Sequence, residues 1–266
     1  MREFFALVRA GGMTAASYRL RLLLSIGGLL LSAVPLYFVT QALQNTMAET
    51  IQVEAEQYFA FVLVGTIALS FVATAVTTLP NQVGSGITTG ILEALLSTRA
   101  PLPALLAGLS GFEVLWTGIR NVFLLLVGAA LGAQVAWGQI VPATLIVALL
   151  VLSMLPFGIL AAASMLAFRT SGPLPQIVLF ASAALGGVYY PTTVIPSWIE
   201  SVADFVPLSY ALRALRRVLL RGESLWAVRD DLAILMVATA LLLAVSGAAF
   251  AVAFRYSKRA GTLTQY

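Results

Sequence analysis

The chain has 266 residues, 60% of them hydrophobic and only 10% charged, with a formal net charge of +4. A water-soluble domain carries about a quarter charged residues; a soluble core of this length would not hide so much apolar surface, so the composition points to an integral membrane protein with several helical spans. His and Cys are absent, which excludes the usual zinc sites, Cys nucleophiles, Ser-His-Asp triads and disulfides.

The positive charge is spread as arginines between apolar runs, which reads as membrane flanks and not as a nucleic-acid surface. Lys258 is the single lysine and follows Arg255-Tyr256-Ser257. A phosphate-binding loop needs Gly followed by Lys-Ser/Thr, and the chain has none. It is therefore read as no enzyme itself and as carrying no cofactor. Any ATP and Mg that power it must be bound by a partner polypeptide.

Residues 1–21 place Arg2, Glu3, Arg9, Arg19 and Arg21 among Phe4, Phe5, Leu7, Val8, Met13 and Tyr18, interrupted by Gly11-Gly12. This mixed apolar and basic surface predicts an interfacial helix along the inner face of the membrane. A signal peptide competes, but the polar leader is long and no clear A-x-A site follows it. Residues 22–40 form the first span, with Pro35 inside it; such a length crosses roughly 30 Å of hydrocarbon at about 1.5 Å per residue. The polar segment 41–57 holds Glu49, Glu54 and Glu56 without Lys or Arg, which suits the outer side. The second span, 58–80, opens with Tyr58, Phe59 and Phe61 and closes at Pro80-Asn81.

Residues 81–103 form a cytoplasmic loop. Gly84, Gly86 and Gly90 make its start pliable, and about two helical turns follow over 91–96, with Leu92, Leu95 and Leu96 on one face. Glu93 lies in the first turn, where a carboxylate suits the helix dipole. Such a short amphipathic helix either docks a soluble partner or rests on the bilayer.

The third span, 104–132, carries Glu113 and Arg120 on one face with Trp116 and Thr117 between them. Charges at this depth are functional candidates by default, the alternative being a pair that bridges neighbouring helices. Gly128-x-x-x-Gly132 is a close-packing signature. The fourth span is 141–168, and the fifth, 174–191, is rich in small residues and ends in Gly186-Gly187. The sixth, 231–254, is followed by Arg255, Lys258 and Arg259.

With six spans both termini share one side. Placing them in the cytoplasm gathers Arg2, Arg9, Arg19, Arg21, Arg99, Arg169, Arg255, Lys258 and Arg259 there and puts 41–57 outside. By parity 192–229 is then external, although it contains Arg213, Arg216, Arg217, Arg221 and Arg229. Within it, Ser197 and Glu200 match a capping box that starts a short helix, and Pro207 suits the first turn of a second. Arg213, Arg216, Arg217 and Arg221 fall along one stripe of that second helix, opposite Leu208, Leu212, Leu215 and Leu219. Pro191 and Pro196 turn the chain, and Tyr189, Tyr190 and Trp198 suit a membrane interface.

Two stretches carry a family resemblance. Gly187-Val188-Tyr189-Tyr190-Pro191, then Ile195-Pro196-Ser197-Trp198-Ile199, then Val206-Pro207-Leu208-Ser209-Tyr210-Ala211-Leu212-Arg213-Ala214-Leu215-Arg216 resembles the C-terminal signature of ABC-2-type transporter permeases. The run 90–98 resembles that family's G-T-L-E-x-L-L-x-T-P segment, with Ile91 in place of the threonine and Arg99-Ala100 inserted before Pro101. The resemblance implies an all-α integral membrane protein with six transmembrane helices, an N-terminal interfacial helix and short re-entrant outer helices before the last span. It implies a dimer, with a homodimer expected over a heterodimer, and a cytoplasmic ABC ATPase partner contacted through Gly90, Leu92, Glu93 and Leu96. It also implies an outer gate built from Gly186, Gly187, Tyr189, Tyr190, Pro191, Pro196, Trp198, Pro207, Tyr210, Arg213 and Arg216.

The expected function is thus the membrane subunit of an ATP-driven exporter, multi-pass in the cell (inner) membrane and in contact with its lipid, whose assembled complex hydrolyses ATP. The alternative is a stand-alone carrier or channel using Glu113 and Arg120, which predicts inverted halves that this sequence does not show. A lipid-modifying membrane enzyme is weaker still, without His, Cys or a clustered set of intramembrane carboxylates. The motifs do not select a cargo.

Overall fold

The structure, a computed structural model, describes residues 19–52, 54–89, 102–168, 170, 172–194 and 196–259. It contains α1 (Arg19–Ile51), α2 (Tyr58–Thr88), α3 (Leu102–Ala130), α4 (Ile140–Phe168), α5 (Leu174–Leu185), α6 (Ser197–Ala203), α7 (Pro207–Arg221) and α8 (Arg229–Arg259), with 3-10 turns at Trp137–Gln139 and Thr192–Val194. No strand occurs among the described residues. The chain is an all-α membrane protein, and among the described residues four helices are long and apolar enough to cross a bilayer: Tyr58–Ile87, Ser110–Ala130, Trp137–Met165 and Arg229–Ala253.

α2 is the axis. Its apolar window is 72% buried, whereas that of α8 is only 17% buried, so α2 sits inside the bundle and α8 on its rim. Phe59, Leu63, Val64, Ala68, Val72 and Val76 meet Leu124 of α3, Ile146, Leu150 and Met154 of α4, and Leu208, Leu212 and Leu215 of α7 in one core. A Cβ at Gly158 of α4 would collide with the Ala75 carbonyl, so the close approach of α4 to α2 depends on that glycine.

The helices alternate in direction. At one end the Gln134 amide donates to Gln57 Oε1 at 3.2 Å, the Ala136 amide to the Leu219 carbonyl at 2.8 Å, and Gln139 Nε2 to the Gly222 carbonyl at 3.3 Å. That end therefore holds the α1–α2 and α3–α4 connections and the C-terminus of α7. At the other end Leu79 and Val83 of α2, Ala162 and Ala163 of α4 and Phe250 of α8 form a separate cluster.

Several element bounds depart from the sequence expectation. α1 does not stop near residue 40 but stays helical through the polar segment to Ile51. The extension has a job: Gln44 Oε1 accepts from the Tyr58 amide at 2.7 Å while its Nε2 donates to the Glu56 carbonyl at 3.3 Å, so α1 satisfies a free amide in the first turn of α2. α2 likewise runs through Pro80 to Thr88. α5 ends at Leu185, after 12 residues, about 18 Å of rise; alone it is shorter than a hydrocarbon core of roughly 30 Å. The N-terminal interfacial helix expected before Arg19 lies outside the described residues.

Gly128 and Gly132 do not act as one packing motif. A Cβ at Gly128 would strike the Leu63 side chain, whereas Gly132 has φ +102° and nothing within 4 Å, so it is a turn residue that ends α3.

Candidate functional site

The site grows from the break after α5. Gly186 closes the helix with its amide on the Ser182 carbonyl at 2.9 Å. Gly187 then takes φ +76°, a left-handed conformation that is nearly free only for glycine, and the chain reverses. The turn runs deep against α2: a Cβ on Gly65 would collide with the Val188 carbonyl. Val188 and Pro191 are buried, Tyr189 is exposed, and two tyrosine hydroxyls secure the backbone. Tyr190 donates to the Ala184 carbonyl at 2.6 Å, and Tyr58 of α2 donates to the Tyr189 carbonyl at 3.0 Å.

α6 follows with Pro196 at its N-cap and no side-chain capping bond. Ser197 is thus the first helical residue and not the cap, and the expected capping box is not formed; the Ile199 and Glu200 amides instead bond the Pro196 carbonyl at 2.8 and 3.0 Å. Trp198 (73% exposed) and Phe205 (88% exposed) point away from the protein. Such large aromatic surfaces on a helix at the end of the bundle suit the bilayer interface.

α7 begins as expected, with Pro207 in its first turn, and ends at Gly222 in the left-handed conformation, φ +70°. Ser209 ties its first turn to the ends of α6 and α5 by donating to the Ala203 carbonyl at 3.1 Å, with a longer contact of 3.4 Å to the Leu185 carbonyl. Leu208, Leu212, Leu215 and Leu219 are buried, which seats the apolar face on α2 and α4.

The basic stripe does not survive. Arg213 reaches Asp231 of α8 at 3.4 Å and lies 5.5 Å from the Tyr210 ring centre. Arg217 bonds Glu223 through two nitrogens, at 2.6 and 2.9 Å. Arg216 turns the other way, into the protein, and is 1% exposed. Its Nη1 donates to Glu54 Oε2 at 2.9 Å, its Nη2 to the carbonyls of Val188 at 2.9 Å and Phe61 at 3.1 Å, and its Nε to Phe61 again at 3.3 Å. The guanidinium carbon lies 3.3 Å from the centre of the Phe61 ring.

Two physical facts explain the inward turn. At about 100° per residue, position 216 lies only about 40° from Leu212, on the border of the apolar face and not within the stripe. The Phe61 carbonyl is also accessible: Gly65, four residues on, places no side chain over it, and a carbonyl that serves the helix ladder keeps a second lone pair. A planar guanidinium spreads its donors over three acceptors in a way a lysine does not. Burial pushes the Arg216 pKa down, against the pull of Glu54, to about 10. The clamp therefore keeps its charge throughout the neutral range. The cavity above it, bounded by Glu54, Gly187, Thr192, Arg213 and Arg216, measures about 10 Å³, room for a water and not for a cargo.

The intramembrane candidates behave differently. Glu113 and Arg120 are half-buried on α3, and among the described residues no ion pair joins them. Seven residues separate them by about 10.5 Å along a helix, beyond pairing distance. Arg120 Nε is buried without a hydrogen-bond partner among the described residues. Beside them runs a polar seam that the sequence reading overlooked. Thr74 and Thr117 share a hydrogen bond of 2.8 Å, and Asn121 Nδ2 donates to Ser70 Oγ at 2.6 Å. A step of four residues forward on α2 matches four backward on α3, the register of antiparallel helices.

Gly90, Leu92, Glu93 and Leu96, the residues expected to couple to the ATPase, lie outside the described residues. Glu54, the acceptor on which Arg216 closes, was also missed; its only sequence signal was membership of an acidic segment facing the basic one.

The family model for the ABC-2 type transporter matches residues 2–220. The chain belongs to that family. The match covers the entire turn from Gly186 through Arg216 and ends one residue before the end of α7, so α8 lies beyond it. No curated protein matches the chain. This ABC-2 permease is a multi-pass membrane domain of an ABC-type transporter, and Arg216, clamped on Glu54, Phe61 and Val188, is the largest fully buried side chain among the described residues.

Proposed function

We propose that this permease is the membrane subunit of an exporter, working as a dimer of identical chains with a separate cytoplasmic ATPase, in the cell (inner) membrane with both termini inside. The family match over residues 2–220 carries the reading. It is supported by the absence of any Gly-then-Lys-Ser/Thr phosphate loop from the sequence, which leaves nucleotide binding to a partner. ATP binding draws two ATPase copies together and shifts the docking segment with Gly90, Leu92, Glu93 and Leu96. That motion is passed along the helices to the end where the Gly186-Gly187 turn, α6 and α7 close the mouth. ATP drives the cycle only because it binds one arrangement better than the other.

The test is co-purification of the tagged chain with an ATPase from its native membranes, followed by ATP hydrolysis by the complex. Glu93→Arg places a positive charge where the sequence leads one to expect the first turn of a docking helix, against its dipole; the expected result is loss of the ATPase from the complex with the permease still folded. Unchanged assembly would remove this loop from the interface.

A further inference from the structure

Arg216 joins three segments that are remote in sequence. Glu54 belongs to the α1–α2 connection, Phe61 to the second turn of α2, and Val188 to the turn that follows α5. Other contacts cross the same seam: Tyr58 to Tyr189 at 3.0 Å, and Leu220 packed on Ile51, Tyr58, Phe61 and Val62; the Ala136 amide, bonded to Leu219 at 2.8 Å, ties α7 separately to the α3–α4 connection. Lifting α7 from α2 would strip a buried guanidinium of its Glu54 and Phe61 acceptors together, which costs far more than sliding an apolar contact. α6 has no such anchor: Trp198, Val202 and Phe205 are exposed, and Ser209 is its side-chain tie to α7.

We infer that Arg216 is a positioning residue that locks α7 and the Gly186-Gly187 turn onto α2, so that they travel as one rigid body through the transport cycle while the mouth opens elsewhere, with α6 the part that swings. The inference rests on the exporter reading, and it is the opposite of a gate that opens by peeling α7 away.

The experiment uses the complex of permease and ATPase, with ATP and vanadate as the only probes. Gln57 and Leu220 line one small cavity across the α2–α7 seam, and the chain has no native cysteine, so Gln57→Cys with Leu220→Cys takes a spin-label pair without competing thiols. The assembly and hydrolysis of this double variant with Arg216 present are the reference for the packing and the Gln134 bond it gives up. With Arg216 in place, spin–spin broadening is expected to stay the same without nucleotide and after trapping with ATP and vanadate. Bridging the two cysteines with a short cross-linker should leave ATP hydrolysis within about twofold. In the Arg216→Lys variant, which keeps the charge without the planar fork, trapping should reduce the broadening, and the cross-link should restore it.

Loss of broadening on trapping with Arg216 present, or a fall in hydrolysis of about tenfold on cross-linking, overturns the proposal. So does identical behaviour of the Arg216 and Arg216→Lys complexes, because a residue that merely fills space would give that result. If Arg216→Lys does not assemble, the two measurements on the Arg216 complex still decide. Failure of the exporter reading shows separately and earlier, as a permease that binds no ATPase.

Discussion

Gly65 and Arg216 are two halves of one contact. Without a side chain at 65 the Phe61 carbonyl stays open and the Val188 carbonyl can approach α2; a Cβ there would collide with Val188 and sit 3.0 Å from Arg216 Nη2. Gly65→Ala is therefore expected to displace the turn and loosen the clamp, even though alanine is the better helix former by about 1 kcal/mol. Arg216→Ala removes the buried member of the pair and leaves the Phe61 and Val188 carbonyls and a partly exposed Glu54 without their donor, a loss of about 1–3 kcal/mol. Thermal unfolding of the purified protein in detergent measures both. A Gly65→Ala protein as stable as the parent would show that the turn does not need this approach. That a basic residue stands at 216 was visible in the family-like motif, but its direction was not. The heptad-like spacing puts the leucines and arginines of α7 on opposite faces, whereas position 216 lies on their border, and the open carbonyl behind it decides which way the side chain goes. Glu54 was legible as charge and not as partner, because nothing local links residues 54 and 216.

At the scale of elements, composition and apolar run length were enough to find the long helices, whereas their ends depended on tertiary partners. α1 continues past residue 40 to Gln44, which caps the start of α2, and on to Ile51, which is buried against Tyr58, Phe61 and Val62, contacts across a turn that no propensity records. α5 stops at Leu185 because Gly187 reverses the chain, although the residues around it stay apolar and so read as a longer span. The polar seam between α2 and α3 was hidden for a related reason: Ser70, Thr74 and Thr117 bond in helices through their own or facing oxygens and look neutral in sequence, while the charged Glu113 and Arg120 drew attention. The seam supports a prediction at this scale. A double-mutant cycle of Thr74→Val and Thr117→Val should return a coupling of about 0.5–2 kcal/mol, as interhelical hydrogen bonds in membrane proteins do. Asn121→Leu should cost more than either single change, since it also leaves a Ser70 hydroxyl short of a donor. A coupling near zero would mean that the two hydroxyls are each satisfied by their own helix, leaving the Asn121–Ser70 bond as the polar tie of the seam.

For the whole molecule, the fold fixes which segments share an end but not which side of the membrane that end faces. Helices of alternating direction look the same inverted; only the charge distribution breaks the symmetry. The cysteine-free sequence turns this into a direct measurement. The α1–α2 connection, the α3–α4 connection and the turn after α7 lie at one end, tied by Gln57 to Gln134 and by Gln139 to Gly222. Gln52 and Ser224 are exposed there. Arg216, although it lies in the same region, is a poor reporter because it is 1% exposed. Single-cysteine substitutions at 52 and 224 should both react with a membrane-impermeant maleimide added to intact cells. Both reacting only after the membrane is opened would invert the orientation and place the basic segment 213–229 inside, in accord with the positive-inside tendency. One reacting and the other not would contradict the shared end itself, and with it the alternation of the helices. The expected result is reaction at both from outside. In that case four of the five external arginines lie on the outside with a carboxylate partner: Arg216 with Glu54, Arg217 with Glu223, Arg213 with Asp231 and Arg229 with Asp230. A neutralised arginine exerts little pull toward the cytoplasm, which is how this segment tolerates the side that parity assigns to it.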